Sequence, residues 1–236
     1  MRFDALFFGA HPDDVELTSG GLAALLASHG HAVAIVDLTR GESSSRGTVE
    51  ERAREAEAAA RVLGVAARIP LGLPDLGLDA GDRDQQRAVV ACLRAHRPRL
   101  VVAPERHDPH PDHVQASALV RRACYLSGLV KFDADGERFR PERLLFALYR
   151  SVRPPHLVVD VSAVWERRMQ ALEAHRSQLA GTPGPPTYLT DGGFRAEVEA
   201  RARVFGAAIG SPHGEGYRSA GPLAVRDARV LLAEGA

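Results

Sequence analysis

Through the first 130 residues, short apolar runs alternate with longer stretches of helical periodicity. FDALFFG (3–9), HAVAIVDLT (31–39), the weaker ARIPLGL (67–73) and RLVVAP (99–104) have the length and content of buried strands. Each is followed by a helical segment: TSGGLAALLASHG, VEERAREAEAAARVLG, RDQQRAVVACLRAHRP and HVQASALVRRACYLSG. Strands separated by crossover helices pair in parallel, so the order predicts an α/β fold with a Rossmann-like, doubly wound, mostly parallel sheet. Local signals agree with it. TVEE is a capping box with Thr48 as N-cap and Glu51 three residues on, and Gly64 is placed to end that helix.

Beyond residue 130 the alternation loosens into a C-terminal elaboration. KFDADGERFRPE reads as an exposed insert, RLLFALYRS and HLVVDVS as two further strands, and a helix is expected from about Ala163 to Leu179. AGTPGPPTYLTDGG reads as a long loop or lid, FRAEVEARARVFGAAIG as a last helix and SPHGEGYRSAGPL as a terminal loop. The expectation is one domain over 1–236, with a core of 1–130 and pocket-lining segments in 131–236.

Thirty basic residues balance thirty acidic ones, which leaves no overall field to draw nucleic acid or an anionic membrane. A small-molecule partner is expected instead. Cys92 and Cys124 are the two cysteines, each within an apolar helical pattern, and they read as small hydrophobes of a reducing compartment. The apolar run at the N-terminus is too short for a signal peptide or a membrane span, so the expected location is cytoplasmic.

Open α/β sheets bind ligands beyond the carboxyl ends of their strands, where the strand order reverses. For the order 3-2-1-4-5 that crevice lies between the first and fourth strands. AHPDD leaves the first strand and HDPHPDH leaves the fourth, so two His/Asp loops about a hundred residues apart converge on it. Taken singly, Asp13 or Asp14 reads as a helix cap, and His110 or His113 as a surface or capping residue. Taken together, His11, Asp14 and His113 are three plausible ligands for a borderline metal such as Zn²⁺ with an open fourth position. Asp13 and His110 then stand nearby as acid–base groups, and the chemistry expected is hydrolysis. A dinucleotide reading fails on the same loop, because GAHPDD lacks the glycine pattern, loses an N–H donor at Pro12 and carries two carboxylates that repel phosphate. No G-x-S-x-G nucleophile is present.

AHPDDVE and HPDH resemble the two signature motifs of the LmbE-like, or PIG-L, family of zinc-dependent N-acetylglucosaminyl deacetylases, and the similarity spans nearly the whole chain. LTRGESSSRGTVEERAREAEAAARVLG, LPDLGL and EAHRSQL are most similar to the bacillithiol-biosynthesis branch, which deacetylates N-acetylglucosaminyl-malate. The resemblance implies one zinc ion held by His11, Asp14 and His113, with Fe²⁺ or Co²⁺ suited to the same ligands. It implies Asp13 as general base, His110 as a stabiliser of the oxyanion and departing amine, Arg52 as a substrate-binding residue, and a homo-oligomer. Arg54 competes with Arg52 for that register, and Asp75 lines the sugar site or merely makes a turn. Pro109 stands where the family often has arginine. Glu16, His107, His213, Glu215 and Tyr217 receive no role. The alternatives are hydrolysis of another N-acetyl sugar or thiol conjugate, and a noncatalytic carbohydrate- or metal-binding relative.

Overall fold

Every residue of β1 (Ala5–Gly9) and β2 (Val33–Asp37) is buried. Both strands lie inside a sheet covered on its two faces, which is why each reads as a continuous apolar run rather than an alternating one. The computed structural model describes residues 1–149, 153–179, 184–190 and 193–224. The other strands are β3 (Ala67–Pro70), β4 (Leu100–Pro104), β5 (Arg143–Ala147), β6 (Leu157–Asp160) and β7 (Gly214–Ser219). They form one seven-stranded sheet in the order β3-β2-β1-β4-β5-β7-β6. β1 pairs in parallel with β2 and β4, and only the pairs made by β7 are antiparallel. The expected doubly wound α/β sheet is present, with its order reversing between β1 and β4.

Successive side chains of β1 serve opposite faces. Ala5 and Phe7 join a core with Ile35, Leu63, Trp165 and Tyr217, while Leu6 and Phe8 join another with Val36, Leu93 and Leu119. The covering helices are α1 (Asp14–Thr18), α2 (Gly20–Ser28), α3 (Val49–Leu63), α4 (Arg83–His96), α5 (Pro111–Leu126), α6 (Trp165–Glu173) and α7 (Phe194–Ala207). The capping box of α3 is formed: Thr48 Oγ1 accepts from Glu51 N–H at 3.1 Å, and Glu51 Oε2 accepts from Thr48 N–H at 3.3 Å. Gly64 ends the helix at φ 78°, in the left-handed region. Cys92 and Cys124 are buried free thiols, each pushed up to about 12 by burial. Among the described residues, no helix is long and apolar enough to cross a membrane.

Three expectations change. The first helical segment is two helices, broken at Ser19, and the buried carboxylate of Glu215 accepts from the N–H groups of Gly21 and Leu22 at 2.8 Å each. A Cβ on Gly21 would lie 2.7 Å from Glu215 and 2.8 Å from Val161, so the second glycine of the pair is a packing requirement. The segment read as a terminal loop contains β7, inserted between β5 and β6. Its glycines hid it: Phe205 of α7 packs within 2.8 Å of where a Cβ on Gly216 would be, so a bare backbone replaces the usual branched side chain. The helix expected over 163–179 is regular only through α6, with single 3₁₀ turns on either side. Of the expected lid, residues 184–190 hold one 3₁₀ turn, Tyr188–Thr190, while 180–183 and 191–192 lie outside the described residues.

Candidate metal and active site

Glycine suits the end of β1, because a Cβ at Gly9 would sit 3.0 Å from the carbonyl of His11 as the chain turns. Asp13 then takes φ 127° and ψ −23°, a conformation that L residues rarely hold and that costs about 1–3 kcal/mol. It occupies the N-cap position of α1, yet its carboxylate makes no capping bond. That side chain instead faces a cavity of about 430 Å³ that also receives His11, Asp14, Asp75, His110 and His113.

Arg52 holds this turn from behind. The first turn of α3 buries it and leaves Arg54 exposed. Its Nη2 donates to Pro12 O at 2.9 Å and lies 3.4 Å from Asp13 Oδ2, and Nη1 donates to Gly41 O at 3.1 Å. Gly41, at φ 66°, leaves room for the guanidinium, which a Cβ there would overlap.

His11, Asp14 and His113 come together. The two oxygens of Asp14 face the two rings, with His11 Nδ1 at 3.5 Å and His113 Nε2 at 3.1 Å, and Asp14 Oδ2 also accepts from His11 N–H at 2.8 Å. His113 Nδ1 is held by Asp108 at 3.1 Å, a carboxylate–imidazole contact that orients the ring and leaves Nε2 toward the pocket. The ring nitrogens of His11, His110 and His113 can all lie within 4.8 Å of one another, as can donor atoms of His11, Asp75 and Asp112. His11 Nε2 is 3.1 Å from Asp75 and 3.4 Å from Asp112.

His110 does cap a helix, and the cap defines its chemistry. Its Nδ1 accepts from Asp112 N–H at 3.2 Å at the start of α5. With Nδ1 accepting, the ring proton belongs on Nε2, and the neutral tautomer is a donor. Burial and the neighbouring His11 and His113 charges lower its pKa further, so the geometry favours a neutral N–H donor in place of the protonated His110 expected for oxyanion stabilisation. Asp108 also accepts from His110 N–H at 2.9 Å.

Burial alone would lower His11 and His113. Hydrogen bonds to Asp14 and Asp75 and the charges of Asp14 and Asp13 instead raise His11 to about 11, and Asp14 and Asp108 raise His113 to about 10. Burial would raise Asp14, but His113 and His11 hold it well below the carboxylate range. Burial raises Asp13 against the opposing charge of Arg52. Carboxylates thus surround imidazoles that hold protons in the absence of a stronger cation. The nitrogen and carboxylate donors, without a thiolate, fit a borderline divalent metal such as zinc.

Asp108 and Asp112 were missed by sequence reasoning as parts of the site. Asp112 accepts from Leu76 N–H at 2.8 Å, and Asp75 from Ser43 N–H at 2.8 Å, so both carboxylates tie neighbouring loops to the site. The HDPHPDH run was the signal available for Asp108 and Asp112, but not which of its carboxylates turns inward. Glu16 points away from the pocket and pairs with buried Arg68 at 2.6 Å. Glu215 and Tyr217 are structural: the tyrosine hydroxyl donates to Glu215 at 2.7 Å, and Arg168 lies 3.1 Å from the same carboxylate.

Comparison with known proteins matches the PIG-L family model, described as GlcNAc-PI de-N-acetylase, to residues 6–124. The conserved protein TT1542 from Thermus thermophilus has a similar solved structure, with a TM-score of 0.86 at 38% identity over 94% of this chain and 97% of that one. Diacetylchitobiose deacetylase of Thermococcus kodakarensis is 28% identical over 181 residues, covering 72% of this chain and 67% of its own. A 1D-myo-inositol 2-acetamido-2-deoxy-alpha-D-glucopyranoside deacetylase of Mycobacterium leprae is 33% identical, over 75% of this chain and 81% of its own.

Proposed function

The chain belongs to the PIG-L (GlcNAc-PI de-N-acetylase) family, and from that premise we propose that it hydrolyses the acetamide of an N-acetylglucosaminide, with N-acetylglucosaminyl-malate as the foremost substrate. The named relatives are deacetylases of GlcNAc-containing substrates, which makes this chain a hydrolase of that type. One observation carries the reading: a strained, buried carboxylate at Asp13, an oriented N–H donor at His110 and the His11–Asp14–His113 donor set all line one cavity. The malate conjugate, and with it a place in bacillithiol biosynthesis, is supported by the similarity of LTRGESSSRGTVEERAREAEAAARVLG, LPDLGL and EAHRSQL to that branch. We place the enzyme in the cytoplasm on its two buried thiols and short N-terminal apolar run, as a single-domain chain on its length, and in a homo-oligomer on the same resemblance.

In this proposal, His11, Asp14 and His113 hold one zinc ion, and Fe²⁺ or Co²⁺ would suit the same donors. When bound, the metal polarises the amide carbonyl and makes water more acidic. Asp13 accepts the proton of the attacking water, a task suited to a carboxyl whose proton affinity is raised by burial. The Nε2–H of His110 donates to the carbonyl oxygen as it gains negative charge. Proton transfer to the nitrogen then accompanies cleavage of the C–N bond, giving a free amine and acetate. Arg52 holds the Asp13 turn and lines the substrate pocket.

A second reading, another N-acetyl sugar with a neutral aglycone, draws on two observations. Arg52 directs its Nη atoms at Pro12, Gly41 and Asp13, and Pro109, where the family often has arginine, carries no charge for an anionic aglycone. The deciding assay measures free amine released by the metal-loaded enzyme from N-acetylglucosaminyl-malate, diacetylchitobiose and N-acetylglucosamine. Preference for the malate conjugate is the expected result, and preference for a neutral sugar would replace it with the second reading. Release from none of them, by enzyme of verified metal content, would leave a noncatalytic binder.

A further inference from the structure

The segment joining β4 to α5 contributes walls to two cavities. Residues 108–111 and His113 face the catalytic pocket, whereas Glu105 and Arg106 join an outward face of α5 and the end of β7 around a second cavity of about 640 Å³. The two share no lining residue.

Five arginines line this second cavity, Arg106, Arg121, Arg122, Arg153 and Arg218, against one carboxylate among the described lining residues, Glu105. In a chain whose charges balance at thirty and thirty, that is a strong local excess. Arg122 donates to Ala80 O at 2.8 Å and Arg218 to Pro154 O at 2.6 Å, carbonyl contacts that hold these two guanidinium groups without neutralising them. Arg106 Nε approaches His107 Nε2 at 3.1 Å, and Arg153 reaches the same nitrogen. Glu105 uses one oxygen to accept from His107 N–H at 2.7 Å. Like charges gathered in one concavity repel, and an anion that bridges them relieves that repulsion while meeting preformed donors. Tyr125 and Phe146 add an apolar surface beside the charges.

We propose that this cavity is a second ligand site, one that binds a multiply charged small anion of the phosphate or carboxylate class. Its concave shape and the neutral overall charge favour a small ligand over an extended polyanion. The site is independent of the deacetylase reading. It also adjoins the catalytic loop, because Glu105 and Arg106 lead within a few residues to Asp108 and His110.

The test titrates the metal-loaded protein at low ionic strength with inorganic phosphate and, separately, with propane-1,2,3-tricarboxylate, by calorimetry. Saturable binding of at least one probe is expected, weakening as salt rises, and the stronger of the two identifies the anion class. Arg121→Ser/Arg218→Ser should weaken it by about tenfold or more, the worth of one or two charge-assisted contacts, without altering kcat in the absence of probe. The His113→Ala chain should bind the probe as the wild type does, which separates this site from the metal centre. Absence of saturable binding, or an affinity indifferent to the double substitution, would overturn the proposal. So would a changed sedimentation coefficient in the double variant, which would assign these arginines to a contact between copies of the chain.

Discussion

Two charged clusters flank the short helix α1, and the eight residues GAHPDDVE supply both. On one side Asp13 and Asp14 open into the cavity of the proposed active site, with His11, His110 and His113 around them. On the other, Glu16 meets Arg68, whose guanidinium also grips Asp37 through Nε at 2.6 Å and Nη2 at 3.0 Å. The inner cluster is held from within the chain, since one guanidinium bonds both carboxylates and all three side chains are almost fully buried. The outer cluster is open: its cations are imidazoles that must lose protons to bind a metal, and its backbone is strained at Asp13. Charge density alone does not make a site.

That contrast predicts that outer-cluster substitutions cost activity and inner-cluster ones cost stability. Asp13→Asn should lower kcat by about 10²–10⁴-fold, the usual worth of a general base, while zinc content measured by atomic absorption stays at the wild-type level. A rate near wild type would remove Asp13 from the mechanism. His113→Ala should lose metal. Because His11 and His113 are protonated near pH 7.5 in the metal-free protein, zinc binding to the wild type should release about two protons, seen as a buffer-dependent calorimetric enthalpy. Enthalpies independent of the buffer would contradict it.

Glu16→Gln should leave kcat of the folded enzyme unchanged and lower unfolding free energy by about 1–3 kcal/mol at pH 7, since Arg68 loses one charged acceptor but keeps Asp37. Its pH dependence carries a sign. Burial would raise Glu16, but Arg68 and His175 depress it from 4.5 to about 2, so its contribution is complete above about 4.5 and disappears as pH falls through about 2. The stability gap between wild type and variant should therefore narrow as pH falls from 4.5 toward 2 in denaturant titrations, and a constant gap would refute the ionised pair. Thr48→Ala, which touches neither cluster directly, should cost only about 1 kcal/mol by opening the capping box.

Much of this was legible in the residues themselves. The parallel core followed from apolar runs separated by helical ones, and the two loops were placed together because doubly wound sheets bring the ends of β1 and β4 side by side. Asp108 was harder to assign. HDPHPDH carries several acid and imidazole side chains ahead of His113, and only the turn into α5 sets Asp108 against His113 Nδ1. β7 was hidden for a different reason. Strand propensity reflects packing on a pleated surface, and where α7 lies against bare glycine the usual branched signal is missing.

The chain's local chemistry was enough to specify the alternation of elements, the caps at Thr48 and Gly64, and the two His/Asp loops, because each depends on residues near in sequence. It also carried the family resemblance, since signature motifs are local. Tertiary packing alone made Glu16 an internal counterion, turned Arg52 toward the Asp13 turn, gave Glu215 the N-terminus of α2, and gathered five arginines around a second cavity. Those outcomes depend on partners as many as 194 residues apart, and spacing along a chain carries no information about which buried charge will meet which.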